Sequence, residues 1–378
     1  MHYNVWASKM ISCLKCLYTS EVYPGIKLDA EGVCDVCHNY DTLAATTVKG
    51  GNQGKQAVQD LVTQIKRSGQ GKAYDCLVGV SGGVDSSYIA YLTKEWGLRP
   101  LILHVDNGWN SELAVQNIEI LVDKLGFDLY TEVLDWNQMK DLQLAFFKAG
   151  VLDIDLPFDN AFMAVLYSLA RQHKIKYIIS GHNTLTEGWM PSSFCHYKLD
   201  TLNLKAIHSK FGTLSLNGFP MIGPLKLAYY QKCKGVKMVS PLDYISYNKS
   251  EVKQFLTERL GWRDYGGKHY ENIFTKFYQG HILPQKFSID KRIAHLSTLI
   301  CSKQISREEA LIELDKEPYD ADQLLHDKNF FAKKMDLTME QFEQIMNEAP
   351  VSHLHYNSYL TWLRLLSRWK RKIQFWKQ

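Results

Sequence analysis

With 378 residues, 46% of them hydrophobic and 22% charged, the chain lies near globular averages and can bury the core of two domains or of one elaborated α/β domain. A formal charge of +4 is too small to imply a nucleic-acid partner, and none is expected. No run of about 18 apolar residues offers a membrane span. The start Met1-His2-Tyr3-Asn4-Val5-Trp6 lacks the layout of a signal peptide, so the expected location is the cytoplasm.

The first 45 residues read as a metal module. Cys13, Cys16, Cys34 and Cys37 cluster here, whereas Cys76, Cys195, Cys233 and Cys301 are scattered, a distribution that suits a metal clip better than a disulfide framework. Two Cys-x-x-Cys knuckles at this separation can close a tetrahedral Zn²⁺ site, with Gly25 and Gly32 at the turns of a zinc ribbon. Four thiolates leave no open coordination position, so the zinc is expected to be structural; an iron–sulfur cluster is the alternative. Residues 46–54 are rich in glycine and polar side chains and read as a loop or linker.

An α/β domain is expected over residues 55–260. A short helix at 57–66 precedes an apolar strand at 75–80 and a helix at 84–96, with the glycine loop between these two. A second strand at 100–105, a helix at 111–125, a strand at 128–133, helices at 137–149 and 158–174 and a strand at 176–180 continue the alternation. This is the pattern of a doubly wound parallel sheet, whose ligands gather beyond the C-terminal strand ends. The chain after Gly181 is less regular until a helix at 249–260; residues 261–378 form a third region, helical from about Arg307.

The loop Ser81-Gly82-Gly83-Val84-Asp85-Ser86-Ser87 turns from strand to helix and aims backbone N–H groups, hydroxyls and a helix N-terminus at one point, an arrangement that phosphate oxygens satisfy. The lysine of a Walker loop is missing. The string resembles instead the PP-loop ATP pyrophosphatases, in which the loop holds departing pyrophosphate while a substrate oxygen attacks the α-phosphate. Asp106 in His104-Val105-Asp106-Asn107-Gly108 resembles that family's acidic residue near ATP and Mg²⁺. Ser180-Gly181-His182-Asn183 with Glu187 resembles its glycine-His motif, and Pro241-Leu242 with Lys249 and Glu251-Val252 its late signature. Taken singly, Asp106 also reads as a turn residue and His182 as a structural histidine.

Across nearly its whole length, from the cysteine module through Trp262 to Glu271, the chain resembles the N-acetyl sugar amidotransferases of bacterial surface polysaccharide synthesis, the WbpG type. The resemblance implies that the acetamido oxygen of a UDP-linked N-acetyl sugar, a diacetamido uronic acid by resemblance, attacks ATP. Ammonia then displaces AMP to leave an acetamidine, a step of lipopolysaccharide O-antigen synthesis. No cysteine lies in a Gly-x-Cys-x-Gly nucleophile turn, so ammonia is expected from a separate glutaminase subunit with a cyclase-like partner. On this reading Ser81, Gly82, Gly83, Asp85, Ser86 and Ser87 hold phosphates, Asp106 contacts Mg²⁺ or ATP, and Gly181 and His182 border the nucleotide. Lys268 and His269 neutralise phosphate or bind the sugar carboxylate.

From Tyr359 to Trp376 a stripe of Tyr359, Leu363, Leu366, Trp369, Ile373 and Trp376 with flanking arginines and lysines reads as a basic amphipathic helix that packs on its own domain, a partner or a membrane surface. The rival function is a tRNA-thiolating PP-loop enzyme, which should add a basic face and catalytic cysteines near the loop.

Overall fold

The computed structural model describes residues 10–188, 190–191, 193–266 and 271–362. Lys268 and His269, and the stripe beyond Trp362, lie outside the described residues. The module at the start is built on two antiparallel bridges, Ser12 with Thr19 and Leu28 with Cys34, and closes on helix α1 (Asp35–Thr47). Helix α2 (Gly51–Ser68) follows after three residues.

The expected linker at 46–54 is therefore mostly helix. Gly54 is buried where an added Cβ would stand 2.1 Å from the Tyr244 carbonyl oxygen, so its glycine serves close approach rather than flexibility.

The α/β body alternates β1 (Cys76–Gly79), α3 (Val84–Glu95), β2 (Pro100–Asp106), α4 (Glu112–Leu125), β3 (Asp128–Val133), α5 (Trp136–Lys148), α6 (Leu156–Gln172) and β4 (Tyr177–Ile179). Then come α7 (Thr184–Glu187), α8 (Thr201–Phe211), α9 (Pro224–Ala228), β5 (Lys237–Val239) and α10 (Lys249–Leu260). Every strand pair is parallel and the order is β3-β2-β1-β4-β5. The connections run outward from β1 through β2 and then return to its other side at β4, which opens a crevice at the C-terminal ends of β1 and β4.

Period-2 alternation divides the strands between two cores. Leu77, Leu101, Leu103 and Ile178 face α5 and α6, while Val78, Ile102, Tyr177 and Ile179 face α3, α4 and α10. Edge strand β3 is largely exposed. Helix α8 fell in the stretch that reads as irregular; it is fixed by an Asp200 cap and by buried Leu204 and Ile207.

The C-terminal region comprises α11 (Ile273–Phe277), joined through a π turn to α12 (Leu283–Phe287), then α13 (Lys291–Cys301), α14 (Arg307–Asp315), α15 (Ala321–Lys334) and α16 (Met339–Asn347). It shares a core with the sheet: the Trp109 ring lies 5.4 Å from Phe274, and Phe277 5.2 Å from Phe331. The cysteine module packs on this region too, with Leu17 and Val36 against Ile293, Leu296 and Ala310. No helix among the described residues is long and apolar enough to cross a membrane.

Candidate active site

The crevice is a cavity of about 870 Å³. Its floor is the loop after β1. The Ser86 hydroxyl donates to the Gly83 carbonyl at 3.1 Å and accepts from the Ser81 N–H at 3.3 Å, while Gly83 N–H donates to Ser81 Oγ at 3.3 Å. The loop thus holds its own shape while Ser81, Gly83, Asp85 and Ser86 remain on the cavity wall. Ser87 is fully buried beneath it.

The two glycines differ in purpose. Gly82 has φ +81, and its Cβ would meet the Ala114 carbonyl oxygen at 2.6 Å, so packing on α4 and the left-handed backbone require it. Gly83 lines the cavity, where a Cβ would approach Ser81 Oγ and Tyr265 Oη at 3.1 Å.

Three other segments close on the loop. From the β4 end, Gly181 approaches so near that its Cβ would stand 2.9 Å from the Asp85 carbonyl, and His182 Nδ1 pairs with Glu187 Oε2 at 2.6 Å on the cavity wall. From the turn before α10, the Tyr247 hydroxyl donates to Asp85 Oδ1, and Lys249 Nζ, from the first residue of α10, lies 3.3 Å from Asp85 Oδ2. Burial and the Asp85 charge hold the Tyr247 phenol well above its ordinary range, so it remains a donor. From the strap after α10, buried Trp262 donates its indole N–H to the Gly82 carbonyl at 2.9 Å.

Asp106 ends β2, but its Oδ1 accepts from Gly108 N–H at 2.8 Å and Asn110 Nδ2 at 3.0 Å and so organises the turn; the cavity wall there is His104, Val105 and Asn110. The residues present fit a nucleotide phosphate chain: an N-terminal helix turn, a glycine cradle, and Lys249 and Lys253 on the wall. Asp85 and Glu271 are among the carboxylates on that wall and would be the ones nearest the loop to hold Mg²⁺ with it. Phe158, Phe162, Met163 and Met238 make an apolar flank suited to a base.

Opposite the loop stands a charged wall that the sequence motifs do not announce. Asp153 and Asp155 precede α6, Asp159 lies in its first turn, and Lys198 bridges Asp153 at 2.8 Å and Asp159 at 2.7 Å. Two salt bridges hold the Lys198 ammonium well above its ordinary range, and Asp153 is drawn down to about 2 despite burial. Thr275 and Lys291 from the C-terminal region complete this side of the cavity. The signal in the sequence was Asp153-Ile154-Asp155-Leu156-Pro157-Phe158-Asp159, three acids among buried apolar residues at a helix start.

In the cysteine module, Cys13, Cys16, Cys34 and Cys37 are fully buried, with one ligand atom of each within 4.8 Å of the rest. The Cys13–Cys37, Cys16–Cys34 and Cys34–Cys37 sulfurs are 3.9, 3.6 and 3.7 Å apart. A tetrahedron with Zn–S bonds of about 2.3 Å has edges of about 3.8 Å, so the four residues fit zinc. Cys13 Sγ also accepts the Cys16 and Cys34 N–H groups, which orients it as a thiolate ligand.

Among curated proteins, the tRNA-specific 2-thiouridylase MnmA of Yersinia pestis (strain Pestoides F) is 32% identical over 121 residues, which cover 28% of this chain. The chain spans about a third (32%) of the length of that relative. Among solved structures, NMN synthetase from Francisella tularensis is similar at 18% identity, covering 76% of this chain and 98% of its own, with a TM-score of 0.37. The NH3-dependent NAD synthetase from Campylobacter jejuni is similar at 16% identity, covering 74% and 94%, with a TM-score of 0.31. Residues 271–370 match the family described as the C-terminal domain of WbpG-like LPS biosynthesis proteins. The segment that supplies Thr275 and Lys291 to the cavity thus lies within the residues that match this family, and it packs on a parallel α/β body.

Proposed function

We propose that the chain is an ATP-dependent amidotransferase that converts an acetamido group of a UDP-linked N-acetyl sugar, a diacetamido uronic acid, into an acetamidino group for bacterial surface polysaccharide. The observation that carries this reading is one cavity lined both by a phosphate-shaped loop and by side chains of the segment that matches the WbpG-like C-terminal domain.

An amide carbon is inert because its oxygen is a very poor leaving group. Attack of that oxygen on the α-phosphorus of ATP releases pyrophosphate and makes AMP the leaving group, after which ammonia takes its place on carbon. ATP with Mg²⁺ supplies the energy and charge neutralisation of the first step. The chain's part is to orient the triphosphate on Ser81, Gly83 and Ser86, to set Asp85 with Tyr247 and Lys249, and to hold the sugar against the opposite wall. Ammonia would come from a separate glutaminase subunit with a cyclase-like partner, and the 359–376 segment would pack on its own domain, dock on a partner or touch a membrane surface.

The test is incubation with ATP, Mg²⁺, ammonium and a panel of UDP sugars. AMP and pyrophosphate formed only with an N-acetylated member, together with an acetamidine product by mass, support the reading; ATP cleavage indifferent to the sugar would overturn it.

The identity with a 2-thiouridylase favours a second reading, tRNA thiolation. Sulfur transfer needs cysteines at the loop. Among the described residues only Cys195 is on the cavity wall, while Cys76 is buried in β1 and Cys233 is exposed elsewhere. Co-purified tRNA or sulfur incorporation into it would restore that reading.

A further inference from the structure

Asp155 is the last residue before α6, is 7% exposed, and lies on the cavity wall. Its Oδ2 accepts the Thr275 hydroxyl at 3.1 Å, whereas its buried Oδ1 has no hydrogen-bond partner among the described residues. A buried carboxylate oxygen without a donor is costly, and a site that keeps one is built for a donor that arrives with a ligand.

The neighbours explain why this carboxylate stands apart. Lys198 is taken by Asp153 and Asp159, and Lys291 lies over the Tyr278 ring at 5.4 Å. Burial first, then the Asp159 charge, with a smaller push from Asp153, raise the Asp155 carboxyl to about 7, against the pull of Lys198 and Lys291. Such a group is ionised enough to accept a proton near neutrality and basic enough to keep it.

We propose that Asp155 is the catalytic base of the first half-reaction, its Oδ1 taking the N–H hydrogen of the acetamido group as the amide oxygen bonds to the α-phosphorus. This rests on the reaction proposed above. The bond from oxygen to the α-phosphorus forms and the bond to pyrophosphate breaks. The N–H electron pair becomes the C=N bond, and the proton passes to Asp155, leaving a neutral O-adenylated imidate. Without a proton acceptor the intermediate would be a cation that reverts to amide. In the second step ammonia supplies the hydrogens of the amidinium product as AMP departs, and Asp155 returns its proton to solvent.

The experiment is ATP–pyrophosphate exchange without ammonia, with a UDP-diacetamido uronic acid as probe, using the full chain and its Asp155→Asn and Asp155→Glu variants, with melting midpoints as a check of folding. A general base contributes about 10²–10⁴-fold, so Asp155→Asn should lose that much in exchange rate with the probe's KM within about threefold, and Asp155→Glu should recover part. The wild-type rate should fall as pH drops below about 7, because protonation removes the base. Asp155→Asn exchanging at the wild-type rate, or a wild-type rate flat from about pH 5.5 to 8, would overturn the assignment while leaving the reaction intact. The second of these needs no variant to fold. Wild-type protein that exchanges with no N-acetyl sugar would instead remove the proposed reaction, and this inference with it.

Discussion

Lys249, the first residue of α10, holds its Nζ 3.3 Å from Asp85 Oδ2 in the first turn of α3, across 164 positions of sequence. Tyr247 donates to the other oxygen of the same carboxylate. The pair ties the late proline-leucine and lysine signature to the phosphate loop and places one cation on a wall that would otherwise meet a triphosphate with a negative charge.

Replacing Lys249 with alanine leaves Asp85 a single neutral donor and takes a positive charge from the wall. A hydrogen bond to a charged group contributes about 1.5–3 kcal/mol, so Lys249→Ala should lower kcat/KM for ATP by about 10–100-fold, most of it through KM. Tyr247→Phe should cost less. Steady-state AMP release over a range of ATP concentrations checks both, and an unchanged kcat/KM in Lys249→Ala would show that the lysine serves only to pair with Asp85.

Trp262 secures the loop from below. Its indole is 1% exposed and its N–H satisfies the Gly82 carbonyl. Trp262→Phe keeps most of the apolar contact but orphans that carbonyl, at about 1–3 kcal/mol, and Trp262→Ala adds a cavity, for about 3–5 kcal/mol in all. Urea titration gives both values. Binding of an ATP analogue should weaken in Trp262→Phe beyond any change in stability, because the loop loses its support.

Much of this site could be read from the chain because its parts are local. Ser81 to Ser87 lie on one strand-to-helix turn, and each cysteine pair lies on one knuckle, so spacing alone carried their chemistry. The opposite wall was hidden for the converse reason. Asp155, Lys198, Thr275 and Lys291 sit on four separate segments and meet only when the C-terminal helices pack on α6. Asp106 shows a different limit: its place at a strand end suits metal contact, but only the folded turn shows Gly108 and Asn110 donating to it. Helix α2 begins earlier than its apolar spacing suggests: Gly51 and Gly54 have the composition of a loop, but the close approach of the Tyr244 carbonyl explains Gly54 within the helix.

The cysteine module should carry one zinc per chain, and its loss should be felt beyond residue 45. Leu17 N–H donates to Ser297 Oγ at 3.2 Å and Arg307 Nε to the Cys16 carbonyl at 3.3 Å, so the knuckles are part of the α13–α14 surface. Metal analysis of purified protein tests the first point. A high-affinity chelator, or Cys34→Ser, should lower the melting midpoint and raise protease cleavage around α13 as well as in the module, since a site of this kind contributes on the order of 10 kcal/mol to the fold it closes. A chelator that strips zinc without moving the midpoint would show that the packing alone suffices.

His353 should make a contribution to stability that is lost in mild acid. This ring is buried and stacks on His196 with centroids 4.2 Å apart. Its Nδ1 donates to Asn203 Oδ1 at 2.7 Å, and its Nε2 accepts the Asp153 backbone N–H at 3.0 Å. The ring is therefore neutral, and a proton on Nε2 would face a donor. Burial, aided by His196, accordingly lowers its pKa to about 3. The unfolded chain takes up this proton near pH 6.5 and the folded chain does not. The histidine's contribution is then complete above about pH 6.5 and is lost at up to about 1.4 kcal/mol per pH unit as pH falls toward 3. Asp153 adds its own loss only below about pH 4, since its folded value near 2 lies under that of the unfolded carboxyl. Asp155, held at about 7 in the fold, takes up its proton over the histidine's window and offsets part of that loss, so the histidine's share is read from denaturant midpoints as the difference between wild type and His353→Gln between about pH 5 and 7. His353→Gln, which can keep one hydrogen bond but cannot titrate, should be less stable at neutral pH and flatter across this window; a variant with the same slope as wild type would place the acid sensitivity elsewhere.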